Sequence, residues 1–163
     1  MAAEQFWIAT PLGGALLRLN GASVAELKLV QDACDAEDAA AHPLAAQVQQ
    51  ELDEYFAGAR REFSIPLATR GTEFQRRVWS ELLKIPYGTT VSYTELTLRL
   101  GEIKALRAVG RANGANPVCI IIPCHRVIGA NGELTGYAGG LEVKRRLLEL
   151  EGALQPGLFG GHV

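Results

Sequence analysis

Cys124 and His125 are neighbours in the run Pro123-Cys124-His125-Arg126-Val127. The thiolate is the nucleophilic form of cysteine and a free thiol titrates near pH ~8.5, so an imidazole that takes the proton is a simple way to make sulfur reactive. The run follows an apolar stretch, residues 118–122, expected to be a short buried strand, and precedes a Gly/Asn turn at 129–132. That is where an exposed nucleophile belongs. A carboxylate should hold the imidazole, and the residues alone do not say which one. Read as a dipeptide, Cys124-His125 is equally a buried structural thiol beside a hydrogen-bonded surface histidine.

A second group has the chemistry to meet an anion. Lys104, Arg107 and Arg111 are interleaved with Ala105, Ala108, Gly110 and Ala112. Small side chains let a helix backbone come close to a partner, which suits the narrow minor groove of DNA, and Arg107 is placed to probe the base stack. By composition alone the same stretch is an ordinary alanine-rich surface helix. The chain carries net charge −2, but unevenly: residues 1–68 hold four basic and ten acidic side chains, residues 69–163 twelve and eight. An anionic ligand therefore belongs to the second part. Three cysteines, Cys34, Cys119 and Cys124, form no paired framework and are expected to be free thiols.

The elements that must hold these groups are legible in outline. Between Phe6 and Val30, short apolar stretches broken by Pro11, Gly13, Gly14, Asn20 and Gly21 predict a small antiparallel sheet. Residues 31–42 read as a loop or a poor helix. Pro43 opens a helix with Leu44, Val48, Leu52 and Phe56 four apart, stopped by Gly58, and a short strand is expected over 63–67. The composition turns basic at 69–71, which sets the expected boundary between an N-terminal part, 1–68, and a C-terminal part, 69–163. Thr72 with Gln75 is a capping-box pattern opening a helix through Phe74, Val78, Trp79 and Leu82, and Ser92 with Glu95 opens a shorter one to Leu100. After Gly101 a third helix is expected over 103–113, giving a helix-turn-helix layout. A last helix over 141–151 completes an α+β chain: a small antiparallel N-terminal sheet, then a helical, winged-helix-like part.

The second part resembles the O6-alkylguanine-DNA alkyltransferases, also called methylated-DNA–protein-cysteine methyltransferases. The likeness runs through Phe74-Gln75-Arg76-Arg77-Val78-Trp79, Ile85-Pro86-Tyr87-Gly88-Thr89, Ser92-Tyr93, Arg107-Ala108-Val109-Gly110, Asn116-Pro117 and the Cys124-His125 run. It continues through residues 135–141 and Lys144 to Glu151-Gly152. The first part is similar more loosely, through Thr10-Pro11-Leu12-Gly13 and the helix reaching Phe56. In order and at the family's spacing, these motifs are far more specific than any one of them.

The resemblance implies that Cys124 accepts the alkyl group, that His125 takes its proton through a water, and that Glu151 is the missing carboxylate. It implies that Asn116 braces the turn before the active-site strand and that Tyr93 bonds the guanine ring and crowds its phosphate. Val127, Ala138 and Tyr137 would line the guanine pocket with Cys124, and Cys119 would flank it. Arg107 would replace a flipped-out base while Ala105, Ala108, Gly110 and Arg111 follow the minor groove of double-stranded DNA. The product is a thioether, so each molecule is expected to act once, on O6-alkylguanine and as a minor substrate O4-alkylthymine. Two departures stand out: Cys119, where some members carry proline, and Leu106, larger than the usual small residue and expected either to weaken DNA contact or to pack inward. Some members bind zinc in the first part, but Cys34 and His42 are too few for a site of about four ligands, so no metal and no cofactor are expected.

Three other readings compete: a lesion binder without transfer, a cysteine hydrolase built on Cys124, His125 and Glu151, and a transcription regulator. The first is disfavoured because Cys124 is present, the second because no oxyanion hole is foreseen, and the third because residues 1–68 carry no ligand motif. The run at Met1 to Glu4 lacks the character of a secretory signal, and no apolar run approaches the ~20 residues of a membrane span. A cytoplasmic monomer that does not touch membranes is expected.

Overall fold

A computed structural model describes residues 5–30 and 35–154, which form two compact units. One comprises the chain up to Gly71 together with Pro117–Ile121; the other comprises Thr72–Asn116 and the chain from Ile122. Cys34 and the tail beyond residue 154 lie outside the described residues.

The first unit is built on a hairpin. Strands β1 (Gln5–Thr10) and β2 (Gly13–Asn20) pair antiparallel, and β3 (Ser23–Leu29) follows on the other side of β2. Gly21 at the second turn has φ 61°, a conformation glycine adopts without steric cost. Alternation along β1 and β2 sends Phe6, Ile8, Ala15 and Leu17 into the core, as period-2 patterning requires, whereas in β3 a register shift against Arg18 and Leu19 leaves the buried Val24 and Leu27 three residues apart. Within the stretch expected as loop or poor helix, residues 37–38 instead form a short strand, β4, parallel to β1. A 3-10 turn follows, capped by Asp38.

Helix α1 (Pro43–Phe56) starts with proline at its first position, and His42 Nδ1 accepts the Leu44 N–H. Leu44, Val48 and Leu52 are buried as expected, but the fourth buried position is Tyr55 rather than Phe56. Residues four apart advance 400° on a helix of 3.6 residues per turn, so the row drifts by about 40° at each step and Phe56 rotates off the buried face. The strand expected over 63–67 reduces to one bridge, Leu67 to Val24, because Pro66 has no N–H to pair.

The strand expected over 118–122 is also absent. Val118 makes one bridge to Leu27, and then the chain coils: Ile121 N donates to Cys119 O at 2.8 Å and Ile120 has φ 71°. A β-branched residue in the left-handed region is strained by about 1–3 kcal/mol and persists only where its surroundings hold it. Here that strain sits four residues before Cys124.

In the second unit, α2 (Glu73–Leu82) opens with the full reciprocal capping box of Thr72 and Gln75. Its Trp79 indole N–H donates to Ala112 O at 2.8 Å, tying α2 to α4 (Leu106–Gly114). Between them α3 (Tyr93–Arg99) is capped by Ser92, and Gly101, at φ 73°, makes the turn of the helix-turn-helix. The third helix differs from expectation at its start. Residues Ile103–Ala105 form a 3-10 turn and regular helix begins at Leu106, since no side chain caps either beginning. Strand β5 (Val91–Ser92) pairs in parallel with β6 (Val127–Ile128), and α5 (Leu141–Leu150) buries Lys144, Leu147 and Leu148. No described helix is long and apolar enough to cross a membrane.

Candidate active site

The site grows from the end of α4. Asn113 is buried on that helix and its amide lies 3.5 Å from Cys124 O, while Asn116, two residues past the helix, donates to Ile122 O at 2.7 Å. Asn116 also hydrogen-bonds the Cys124 thiol. A 3-10 turn, Cys124–Arg126, follows Pro123 and delivers the chain into β6, so the pairing of β6 with β5 fixes where the turn ends. Cys124 is 7% exposed and His125 is fully enclosed.

Behind the turn lies Glu151, at the C-terminal end of α5. His125 Nε2 and Glu151 Oε2 are 2.8 Å apart, and the ring's other nitrogen, Nδ1, has no hydrogen-bond partner within the protein. Arg126 grips the same carboxylate with two groups: Nε donates to Oε1 at 2.8 Å and Nη2 to Oε2 at 2.9 Å. A third donation, from Nη1 to Ile85 O at 2.7 Å, and the Tyr87 ring 5.7 Å from the guanidinium carbon hold the arginine in place. Burial works to raise the Glu151 pKa, but the hydrogen bonds from His125 and Arg126 outweigh it and hold the carboxyl at about 2.

In front of the turn stands Lys144. It is completely buried, donates to Val127 O at 2.6 Å and Thr135 O at 2.7 Å, and lies 5.8 Å from the centre of the Tyr93 ring. Burial lowers its pKa to about 8, with the nearby Cys124 acting in the other direction. Thr135 O is shared, because the Tyr93 hydroxyl also donates to it at 3.2 Å. Burial raises the pKa of Tyr93, while its hydrogen bonds to Thr135 and Asn113 act to lower it.

Sulfur and imidazole are both kept neutral at rest. Burial pushes the Cys124 thiol up, against the Asn116 hydrogen bond and the Lys144 charge; burial pushes the His125 ring down, against Glu151. The sequence places an exposed nucleophile at this turn. The structure holds a nearly enclosed thiol whose conjugate anion has a cation and a side-chain amide waiting for it.

The structure thus brings Cys124, His125, Glu151, Asn116 and Tyr93 into one unit, with Val127 buried, Tyr137 half-buried and Ala138 exposed in the same unit. Cys119 belongs to the other unit, half-buried, with its N–H bonded to Leu27 O at 3.0 Å. Arg107 and Arg111 are exposed on α4, and Ala105, Ala108 and Gly110 are partly so. Leu106 does not pack inward; it is 45% exposed. His42, weighed as a metal ligand, caps α1 and tilts against Phe6 at 5.5 Å. In the sequence Lys144 and Arg126 stand only as members of the family motifs, with no role implied for either, and Asn113 carries no signal of its own. One clue was present: Lys144 sits three and four residues before Leu147 and Leu148, on the apolar stripe of α5, where a lysine is out of place unless it is bonded.

Comparison with known proteins decides the family. Residues 73–153 match the model of the 6-O-methylguanine DNA methyltransferase DNA binding domain, and residues 7–69 match the ribonuclease-like domain of the same proteins. The methylated-DNA–protein-cysteine methyltransferase of Mycobacterium tuberculosis is 46% identical over 153 residues, covering 91% of this chain and 92% of that protein. This chain belongs to that family.

The methylated-DNA–protein-cysteine methyltransferase of Methanosarcina acetivorans is 55% identical over 107 residues, 66% of this chain and 69% of that protein. Among solved structures, Mycobacterium tuberculosis OGT in complex with DNA superposes with a TM-score of 0.83 at 44% identity, covering 92% of this chain and 93% of that one. The chain is accordingly a methyltransferase of the DNA-alkylation-repair class, with an antiparallel sheet in its first part and a helical second part as expected.

Proposed function

We propose that Cys124 Sγ removes the alkyl group from O6 of an alkylguanine in duplex DNA and keeps it. Sulfur attacks the alkyl carbon, a carbon–sulfur bond forms, and the carbon–oxygen bond breaks with its electron pair staying on guanine. The thiol proton passes through a water to His125 Nδ1, which is free to accept it because Glu151 fixes the opposite nitrogen. Tyr93 bonds the base and stabilises the charge that builds on it. The single observation that carries this reading is the buried Glu151–His125 pair, continuous in sequence with a thiol that Asn116 and Lys144 are set to stabilise as an anion.

The neutral resting pair has a use. A thiol that ionises only when the base is in place, and the site is closed to water, is not spent on other electrophiles beforehand. The product is a thioether, which none of these side chains cleaves, so one protein restores one guanine. The target carbon is hidden in the stack and the nucleotide must turn out of the duplex, at a cost of a few kcal/mol. Arg107 fills the gap while Ala105, Ala108, Gly110 and Arg111 follow the minor groove. Val127, Tyr137 and Ala138 line the pocket. The work falls to residues 69–163, with 1–68 as scaffold, in a monomer that acts in the cytoplasm.

The test is a time course on duplex carrying O6-methylguanine. Restored guanine should level off at one per protein, and continued turnover would exclude the reading. In Arg107→Ala, transfer from duplex should slow by about tenfold or more while transfer from the free base O6-methylguanine is spared. Equal slowing of both would remove Arg107 from the groove.

A further inference from the structure

Helix α4 carries a large apolar side chain on its exposed flank. Leu106 opens the helix and is 45% exposed, while the buried side of α4 is Val109, Ala112 and Asn113. One turn on, at the same flank, stands Gly110. A Cβ built there would meet nothing within 4 Å, and Gly110 is not among the positive-φ residues. Neither packing nor backbone conformation asks for glycine in this helix interior, where it weakens the helix relative to alanine. Its bare backbone is useful only to something outside the protein that approaches closely.

That visitor is anionic. Arg107 and Arg111, four apart, form the neighbouring exposed row of α4, and Lys104 is exposed in the preceding 3-10 turn. A leucine knob beside a glycine gap, bordered by cations, has the make-up of a wedge for duplex DNA: the cations hold the phosphates, the gap admits the sugar edge, and the apolar side chain parts a base step. We propose that Leu106 is an apolar wedge that enters the minor groove beside the target nucleotide and unstacks the step that Arg107 then occupies. The proposal rests on the reading of this chain as a repair protein for duplex DNA, and it assigns extrusion of the base to two adjacent side chains rather than to the arginine alone.

The experiment is single-turnover methyl transfer by Leu106→Ala from three substrates: O6-methylguanine paired with cytosine in duplex, the same lesion opposite an abasic site, and the free base. Leu83→Ala serves as control, since Leu83 is 50% exposed at the end of α2, outside the helix-turn-helix. With the wedge lost, transfer from the paired duplex should fall by about fivefold, the worth of one partly buried leucine. The deficit should shrink opposite the abasic site, where stacking is already weakened, and vanish on the free base; Leu83→Ala should match the unaltered protein throughout. A variant as fast as the unaltered protein on paired duplex, or equally slowed on all three substrates, overturns the wedge. Failure of the unaltered protein to take methyl from duplex would instead overturn the function on which the wedge rests.

Discussion

Among the described residues each unit buries one glutamate beside an arginine, and the two keep different company. Glu51, 4% exposed on α1, takes the Ser64 N–H at 2.8 Å and the Gln47 amide at 2.9 Å, with Arg60 at 3.6 Å. These three partners, an amide, a backbone N–H and a guanidinium, do not change protonation near neutral pH, and they fasten the chain after α1. Glu151, 5% exposed, takes two bonds from Arg126 and also meets an imidazole, at 2.8 Å. A buried carboxylate is therefore not a sign of function in itself. What distinguishes a site from a strut is a titratable partner that leads on to a nucleophile.

The sharpest way to break that contrast is to neutralise each glutamate without changing its shape. Glu151→Gln should slow methyl transfer by about 10–100-fold and destabilise the protein by about 3–5 kcal/mol, because Arg126 is left as an uncompensated buried charge. Glu51→Gln should leave the rate within about twofold and cost stability alone, about 1–3 kcal/mol. Rates from single-turnover assays and denaturant melts of both proteins check this, and a rate loss in Glu51→Gln comparable to that in Glu151→Gln would erase the distinction.

A second effect, about tenfold per pH unit at most, comes from the thiol. Because burial raises the Cys124 pKa, transfer from the free base should keep rising with pH through neutrality and past pH 8. A plateau already reached at pH 6 would mean that the sulfur is ionised at rest. Smaller again is the expected several-fold slowing in Lys144→Met. That change removes two hydrogen bonds and a positive charge that acts on the sulfur, yet relieves a buried ammonium whose pKa has fallen to about 8. Thermal stability at pH 7 should move little, so a large loss of stability with an unchanged rate would make Lys144 a strut like Glu51.

Acid stability should differ in a definite direction. Glu151 is held at about 2, below its ordinary value of 4.5, so the stability it confers is complete above pH ~4.5 and drains away as pH falls toward 2. The buried neutral His125 acts in the same sense from higher pH: its lowered pKa gives stability present above pH ~6.5 and lost as pH falls through the folded value. Unfolding midpoints measured from pH 7 to pH 3 should decline throughout, and Glu151→Gln should flatten the part below pH 4.5.

Much of this was written locally in the sequence. The capping residues Thr72, Gln75 and Ser92 announce their helices because a cap is a short-range device, and the turn residues Pro11, Gly13, Gly14, Asn20 and Gly21 that break the apolar stretches announce the sheet. The proposed relay was half legible: Cys124 and His125 are adjacent, whereas Glu151 is 26 residues beyond His125 and was supplied by family likeness alone. The coil at 118–122 was not legible, since β-branched isoleucines favour strand and nothing local declares that Ile120 will be held at φ 71°. Nor was the assignment of Pro117–Ile121 to the first unit, which follows from the bonds of Leu27 N to Pro117 O and Cys119 N to Leu27 O. Such long-range pairing leaves no periodicity to read.

The most direct measurement is the address of the methyl group. After reaction with a duplex bearing O6-methylguanine, proteolysis and tandem mass spectrometry should find one methyl, on the sulfur of Cys124, with the peptides of Cys34 and Cys119 unmodified. Methyl on either of those cysteines, or none anywhere while guanine is restored, would contradict the account.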